Sequence, residues 1–164
     1  LKSGIGFSMV DGNSIFNADK AYKDSKLCNI LFARKLYEII NLNDPKIPVI
    51  AWAPGLIIPR TNEGFFRYSR KKNEIGTRLF AFIARDLLNI TETPSRAGEL
   101  LYNLTLDEEY KNVCFSYRSN RLIRPGMKVF ERSEISREAG NESLSNDLWN
   151  LSGDLVKYCL SLSN

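Results

Sequence analysis

The chain contains no histidine, and that absence excludes a good deal of chemistry. A Ser-His-Asp triad, a Cys-His pair and an imidazole-held metal cannot be assembled from these 164 residues alone. Cysteine is scarce. The three residues Cys28, Cys114 and Cys159 show none of the paired spacings of a zinc cluster and are too few for a disulfide scaffold, which fits a reducing compartment. No run of about 18 apolar residues is present, so no membrane span is expected, and no signal peptide is recognisable. Internal repeats and low-complexity tracts are missing as well. Charge of one sign is not heavily favoured: 23 Lys and Arg face 19 Asp and Glu, a net charge of +4. Read along the sequence, that excess is too small and too diffuse to expect a nucleic-acid partner.

What is present is globular. Hydrophobic residues make up 43% and charged residues 26% of the chain, the composition of a packed domain, and the length suits one domain of ordinary size. The sequence opens at Leu1 in turn-like chemistry (Gly4, Gly6, Asp11-Gly12-Asn13-Ser14) with few apolar residues. The expectation is a C-terminal portion of a longer protein.

From residue 21 to 40 the texture changes. Leu27, Ile30, Leu31, Ala33, Leu36, Tyr37 and Ile40 recur at helical spacing without Gly or Pro, which predicts a long helix with Asp19 as its N-cap. After a connector ending in Pro48, Val49-Ile50-Ala51-Trp52-Ala53 is a short apolar run halted by Pro54-Gly55. It reads as a parallel strand buried on both faces, and helix followed by strand is half of an α/β unit. Further helices are expected over 76–88, with Leu79, Phe80, Phe82, Ile83 and Leu87 apolar, and from Thr93-Pro94 onward, with the stripe Ala97, Leu100, Leu101 and Leu104. A last strand is expected over 113–117 and an amphipathic closing helix over 143–162, carrying Leu144, Leu148, Leu151, Leu155, Val156 and Cys159. Cys114 and Cys159 are expected in the core.

The sharpest chemical signal is Tyr22-Lys23-Asp24-Ser25-Lys26. Tyr22 and Lys26, four apart, share one helix face. A phenol alone titrates near pH ~10 and is a poor acid-base catalyst at neutral pH. A neighbouring ammonium favours the phenolate, and the pair can then deliver a proton to a developing alkoxide or carbanion. A solvated helix face explains the same spacing, since Tyr-x-x-x-Lys is common. Cys28 lies two residues on, pointing away from that face, and reads as a buried structural thiol.

Position sharpens this. A Tyr-x-x-x-Lys pair opening a long helix, followed by a strand ending in Pro-Gly, resembles the C-terminal half of a short-chain dehydrogenase/reductase. Ala21-Tyr-Lys-Asp-Ser-Lys-Leu-Cys-Asn29 resembles the catalytic segment of the light-dependent protochlorophyllide oxidoreductase family, as does the preceding Met9-Val-Asp-Gly12 loop. Gly64-Phe-Phe-Arg67 is similar to that family's Gly-Leu-Phe-Arg, and Leu148-Trp-Asn-Leu-Ser152 to its C-terminal Leu-Trp-Glu-Leu-Ser. The resemblance is strong at both ends and thin over residues 68–130.

The resemblance implies the C-terminal half of a Rossmann-type doubly wound parallel sheet, with the nucleotide-binding half N-terminal to it. It implies one domain over 1–164, with a lid or substrate-loop region at about 60–92. The implied cofactor is NADPH, with Tyr22 and Lys26 catalytic and at the nicotinamide ribose, and with Pro54, Gly55, Leu56 and Ile57 presenting backbone groups to the carboxamide. Phe65 and Phe66 are candidate substrate contacts. Beside Arg67, Arg70, Lys71 and Lys72 they read either as packing with a solvated basic edge, or as a lid over a hydrophobic ligand that touches an anionic membrane surface. The implied setting is a plastid, thylakoid-associated, or a cyanobacterial thylakoid or cytoplasm, with peripheral membrane contact and an oligomer of the full-length protein both left open.

Departures from the family pattern fall at the strand end. Where the family reads Tyr-Pro-Gly-Cys, this chain reads Ala53-Pro54-Gly55-Leu56, and Pro59 and Arg60 stand where threonines usually follow. Three functions therefore remain open. They are light-driven reduction of protochlorophyllide, dark reduction of another hydrophobic carbonyl compound, and a non-catalytic pigment- or membrane-associated role.

Overall fold

The computed structural model describes residues 15–43, 47–61, 66–111 and 114–162. The Met9–Gly12 loop, Phe65 and Val113 lie outside them. The architecture is α/β, with six α-helices and a three-stranded sheet among the described residues. Two compact units emerge. One draws on Leu1–Ala51, Asn112–Tyr117 and Glu134–Asn164, the other on Trp52–Lys111 and Arg118–Ser133.

In the first unit, α1 spans Ala18–Asn43, longer at both ends than the apolar periodicity predicts. Its cap is Asn17 rather than Asp19: the Asn17 side-chain oxygen accepts from the Lys20 N–H at 2.9 Å, satisfying a donor that the first turn would leave orphaned. Asp19 sits inside that turn and pairs with Lys23 at 2.6 Å. There its negative charge opposes the positive end of the helix dipole. The helix that packs on α1 is α6, Glu142–Ser161, capped by Asn141, whose side chain accepts from the Leu144 N–H at 3.1 Å. Contacts to α6 and to the turn before it hold α1 in place. Fully buried Leu31 lends its carbonyl to the Ser145 hydroxyl at 2.9 Å. Arg34 donates to the Ala139 carbonyl at 2.7 Å. The Phe32 and Trp149 rings stack at 5.3 Å.

Leu144, Leu148 and Leu151 lie on the half-buried part of α6, but Leu155, Val156 and Cys159 do not: the helix is exposed from Gly153 onward. The amphipathic pattern thus continues past the residues that cover it. Cys159 and Cys114, expected in the core, are both exposed. Cys114 precedes the strand predicted for it and hydrogen-bonds the Tyr37 phenol, which raises that phenol's pKa.

The strand β1, Ile50–Ala53, forms where the apolar run predicts it, but it is half-buried throughout and outermost in the strand order β1-β2-β3. A central strand covered on both faces is therefore not what is seen. β2 (Ser116–Arg124) and β3 (Met127–Arg132) pair antiparallel from Arg118↔Arg132 to Arg124↔Met127, a hairpin the sequence reading lacks. Its turn is Pro125-Gly126, and Gly126 has φ 78°, a conformation that glycine adopts without a Cβ penalty.

The second unit packs around Ile58, Ala81 and Ala84, with Phe66 and Ile90 against them. α2 (Arg67–Lys72) and α3 (Glu74–Ala81) are separated by Asn73, whose side chain caps α3 by accepting from Gly76 N at 2.8 Å. α3 continues as a π-helical turn over Phe82–Leu87. One helix starting at Gly76 was the expectation, and Leu79, Phe80, Phe82, Ile83 and Leu87 were its apolar face. Those five are exposed, and the residues turned inward are the smaller Thr77, Ala81 and Ala84. α4 (Pro94–Leu106) starts as read, with Thr93 accepting from Arg96 N at 3.1 Å and Pro94 in the first turn. Ala97, Leu100 and Leu104 are buried, whereas Leu101 is exposed. The short α5 (Glu108–Lys111) follows. No helix among the described residues is long and apolar enough to cross a membrane.

Candidate functional site

In the first unit the helical spacing brings Tyr22 and Lys26 together. The Lys26 ammonium lies 5.4 Å from the centroid of the Tyr22 ring, within cation-π range. Both residues are exposed, on the part of α1 that precedes buried Leu31. Their neighbours do not compete for the ammonium: Asp24 is held by Lys20 at 2.5 Å and Asp19 by Lys23 at 2.6 Å. The Ser25 hydroxyl turns back to the Tyr22 carbonyl at 2.7 Å, tying down the backbone of that turn. The pair thus presents a phenol and an ammonium together on an exposed stretch of α1. Cys28 is half-buried rather than buried. Its thiol pKa is raised, first by burial and then by the Asp24 carboxylate, as suits a structural thiol rather than a nucleophile.

In the second unit, Pro54, Gly55, Leu56 and Ile57 follow the end of β1 at Ala53. Gly55 has φ 94°, and a Cβ there would stand 3.4 Å from the Asn120 carbonyl oxygen. The positive φ is what calls for glycine here, since 3.4 Å is an ordinary contact distance. Two residues the sequence reading passed over hold it. The Asn120 side-chain amide donates to the Pro54 carbonyl at 3.1 Å and to Glu92 at 2.8 Å. The Glu92 N–H donates to the Leu56 carbonyl at 2.7 Å, and Ile57 and Glu92 form a parallel bridge. Asn120 sits in the hairpin, and no turn or motif signal in the sequence marked it. Leu56 is 38% exposed, an apolar side chain at the lip of the turn.

Phe66 leans on the Ile58 cluster, with its ring 6.2 Å from Phe80. Phe65 lies outside the described residues.

The chain is thus an α/β protein with a Tyr-Lys helix face and, separately, a braced Pro-Gly turn. No family model matches it. Curated proteins do, at a distance. The chain is 27% identical to a protochlorophyllide reductase of Avena sativa over 95% of its own length and 46% of that protein. It is 27% identical to the chloroplastic protochlorophyllide reductase A of Oryza sativa subsp. japonica, over 95% of this chain and 37% of that protein. It is 28% identical to the chloroplastic protochlorophyllide reductase of Cucumis sativus, over 94% of this chain and 35% of that protein. The chain spans less than half the length of the curated relatives it matches.

Proposed function

We propose that the full-length protein is an NADPH-dependent oxidoreductase of the short-chain dehydrogenase/reductase type, and within it a light-driven reductase of protochlorophyllide in the plastid. This chain would be the C-terminal half of its Rossmann-type domain, with residues 60–92 as lid or substrate loop. The observation that carries the reading is the Lys26 ammonium over the Tyr22 ring at 5.4 Å. It falls within the segment whose sequence is most like the family's, and the likeness to plant protochlorophyllide reductases spans 95% of the chain.

The residues suit the cofactor chemically. Exposed Tyr22 and Lys26 offer a hydroxyl and an ammonium of the kind that hold ribose hydroxyls. In its own unit the Gly55 turn lacks a side chain where a carboxamide would need close approach to backbone. Bound reduced nicotinamide would supply a hydride. Tyr22 would then donate the proton that completes reduction of the double bond, and Lys26 would stabilise the phenolate left behind. Pro54, Gly55, Leu56 and Ile57 would present backbone groups, and Phe65 and Phe66 would line the lid over a hydrophobic substrate. Peripheral contact with the thylakoid surface and oligomer formation belong to the same reading.

Ala53 and Leu56 favour a second reading, a pigment- or membrane-associated protein that binds without turnover, because a methyl and an isobutyl group replace the family's phenol and thiol at the strand end. The test is spectroscopic. Full-length protein with NADPH should shift the protochlorophyllide absorption band and convert the pigment only on illumination. Tyr22→Phe should cut turnover by roughly 10²–10⁴-fold with NADPH binding largely retained, and Lys26→Ala should harm both. Turnover of Tyr22→Phe within a factor of about two would make Tyr22 a packing residue. A spectral shift without turnover would leave only a binding role.

A further inference from the structure

The second unit contains a cavity of about 530 Å³ that shares no residue with the Tyr22–Lys26 face or the Pro54–Ile57 turn. Among the described residues six cations line it: Arg60, Arg67, Arg70, Lys71, Arg78 and Arg85. Two carboxylates, Glu74 and Asp86, face them. Among the described residues the lining thus carries four more cations than carboxylates. The charge that looked diffuse along the sequence is gathered in space.

The gathering has a local cause. Arg67, Arg70 and Lys71 stand at i, i+3 and i+4 on α2 and so share a face, while Lys72, next in sequence, does not line the cavity. Several of the cations are held in place. Arg70 donates to the Pro59 carbonyl at 2.8 Å and to the Thr61 carbonyl. Arg60 and Arg85 both reach Asp86 at 2.9 Å, and the hydrogen bond from Arg85 foremost, then the charges of both guanidinium groups, lower the pKa of its carboxyl. Arg78 pairs with Glu74 at 2.6 Å. These contacts fix the orientation of the side chains around the cavity.

Gathering like charge in a cavity is unfavourable by self-repulsion unless an anion offsets it. A single carboxylate neutralises one charge. Phosphate carries more charge per volume and presents oxygens that guanidinium forks grip in pairs. The volume lies within the range of small-molecule sites and exceeds what one orthophosphate needs.

We propose that this cavity is a binding site for a ligand carrying closely spaced phosphate charge, a diphosphate-type group. A soluble diphosphate and the phosphate headgroups of anionic lipid share that chemistry. The test uses full-length protein at fixed ionic strength. It is titrated with inorganic pyrophosphate and orthophosphate, and separately with phosphatidylcholine vesicles with and without phosphatidylglycerol.

Pyrophosphate should bind saturably and more tightly than orthophosphate. Lys71→Gln should weaken it roughly tenfold, the loss expected for one charge-assisted contact. Lys72→Gln, one residue away but outside the cavity, should leave it unchanged, with the melting temperatures of both variants as fold controls. The same Lys71 selectivity seen only with phosphatidylglycerol vesicles would assign the phosphate to lipid. Equal effects of the two variants would show diffuse surface charge and overturn the proposal. So would Lys71→Gln binding like wild type, or no saturable binding of pyrophosphate or of the anionic vesicles.

Discussion

Replacing Leu31 by alanine tests whether the contact between α1 and α6 governs the stability of the helix that carries Tyr22 and Lys26. Leu31 is 0% exposed, so the substitution removes side-chain atoms fully withdrawn from water. Transfer of a leucine side chain contributes about 1.5–3 kcal/mol. The cavity left behind adds to the loss, and measured Leu→Ala costs in cores run at about 2–5 kcal/mol. About 3 kcal/mol is expected here, a large share of a typical total of about 5–15 kcal/mol. At about 2–4 °C per kcal/mol for a domain of this size class, the melting temperature should fall by roughly 6–12 °C. The backbone carbonyl of Leu31 still accepts from Ser145 in the variant, so the packing contribution is isolated from the hydrogen bond. Ser145→Ala removes that bond instead, and should cost only about 1 kcal/mol. Urea unfolding of the full-length protein, followed by far-ultraviolet circular dichroism, reads both. A loss below about 1 kcal/mol for Leu31→Ala would refute the reasoning, since it would mean that the α1–α6 interface collapses around the gap or contributes little.

Other expectations are more local. Gly55→Ala forces a Cβ onto a backbone with φ 94° and should cost about 1–3 kcal/mol; a change within about 0.5 kcal/mol in urea midpoints would show that the turn relaxes freely. Asp86 has its carboxyl pKa lowered by Arg85 and Arg60, so the unfolded chain takes up its proton first as pH falls. The stability that this carboxylate contributes is therefore full above the unfolded value of about 4 and lost as pH drops through the lower folded value. Asp86→Asn should flatten that limb of the stability profile, and an unchanged acid limb would count against the pairing. Tyr22→Phe should separate turnover from NADPH binding in the manner set out for the proposed reaction, read by steady-state kinetics under illumination and by cofactor fluorescence.

Much of the local structure was legible because it rests on near neighbours. The apolar periodicity of 21–40 determined a helix, and four-residue spacing alone put Lys26 over the Tyr22 ring. Thr93-Pro94 determined the start of α4, and Pro54-Gly55 the end of β1. The hairpin was legible in principle, since Pro125-Gly126 separates two strand-like runs, but charged residues on both strands masked the alternation.

What only the tertiary structure decided are the features set by partners distant in sequence. Periodicity says which residues share a face, not whether anything covers it. Leu31 is buried because α6 lies on it, while the same kind of pattern at Leu155 and Val156 is left in water. Asn120 and Glu92 brace the Pro54 turn from strand and loop positions far along the chain, a convergence that no local spacing encodes. Six cations spread over residues 60–85 look like ordinary surface charge in one dimension. They become a single electropositive cavity only when α2, α3 and the π-helical turn fold together, because Coulomb energy depends on distance in space and not on separation along the chain.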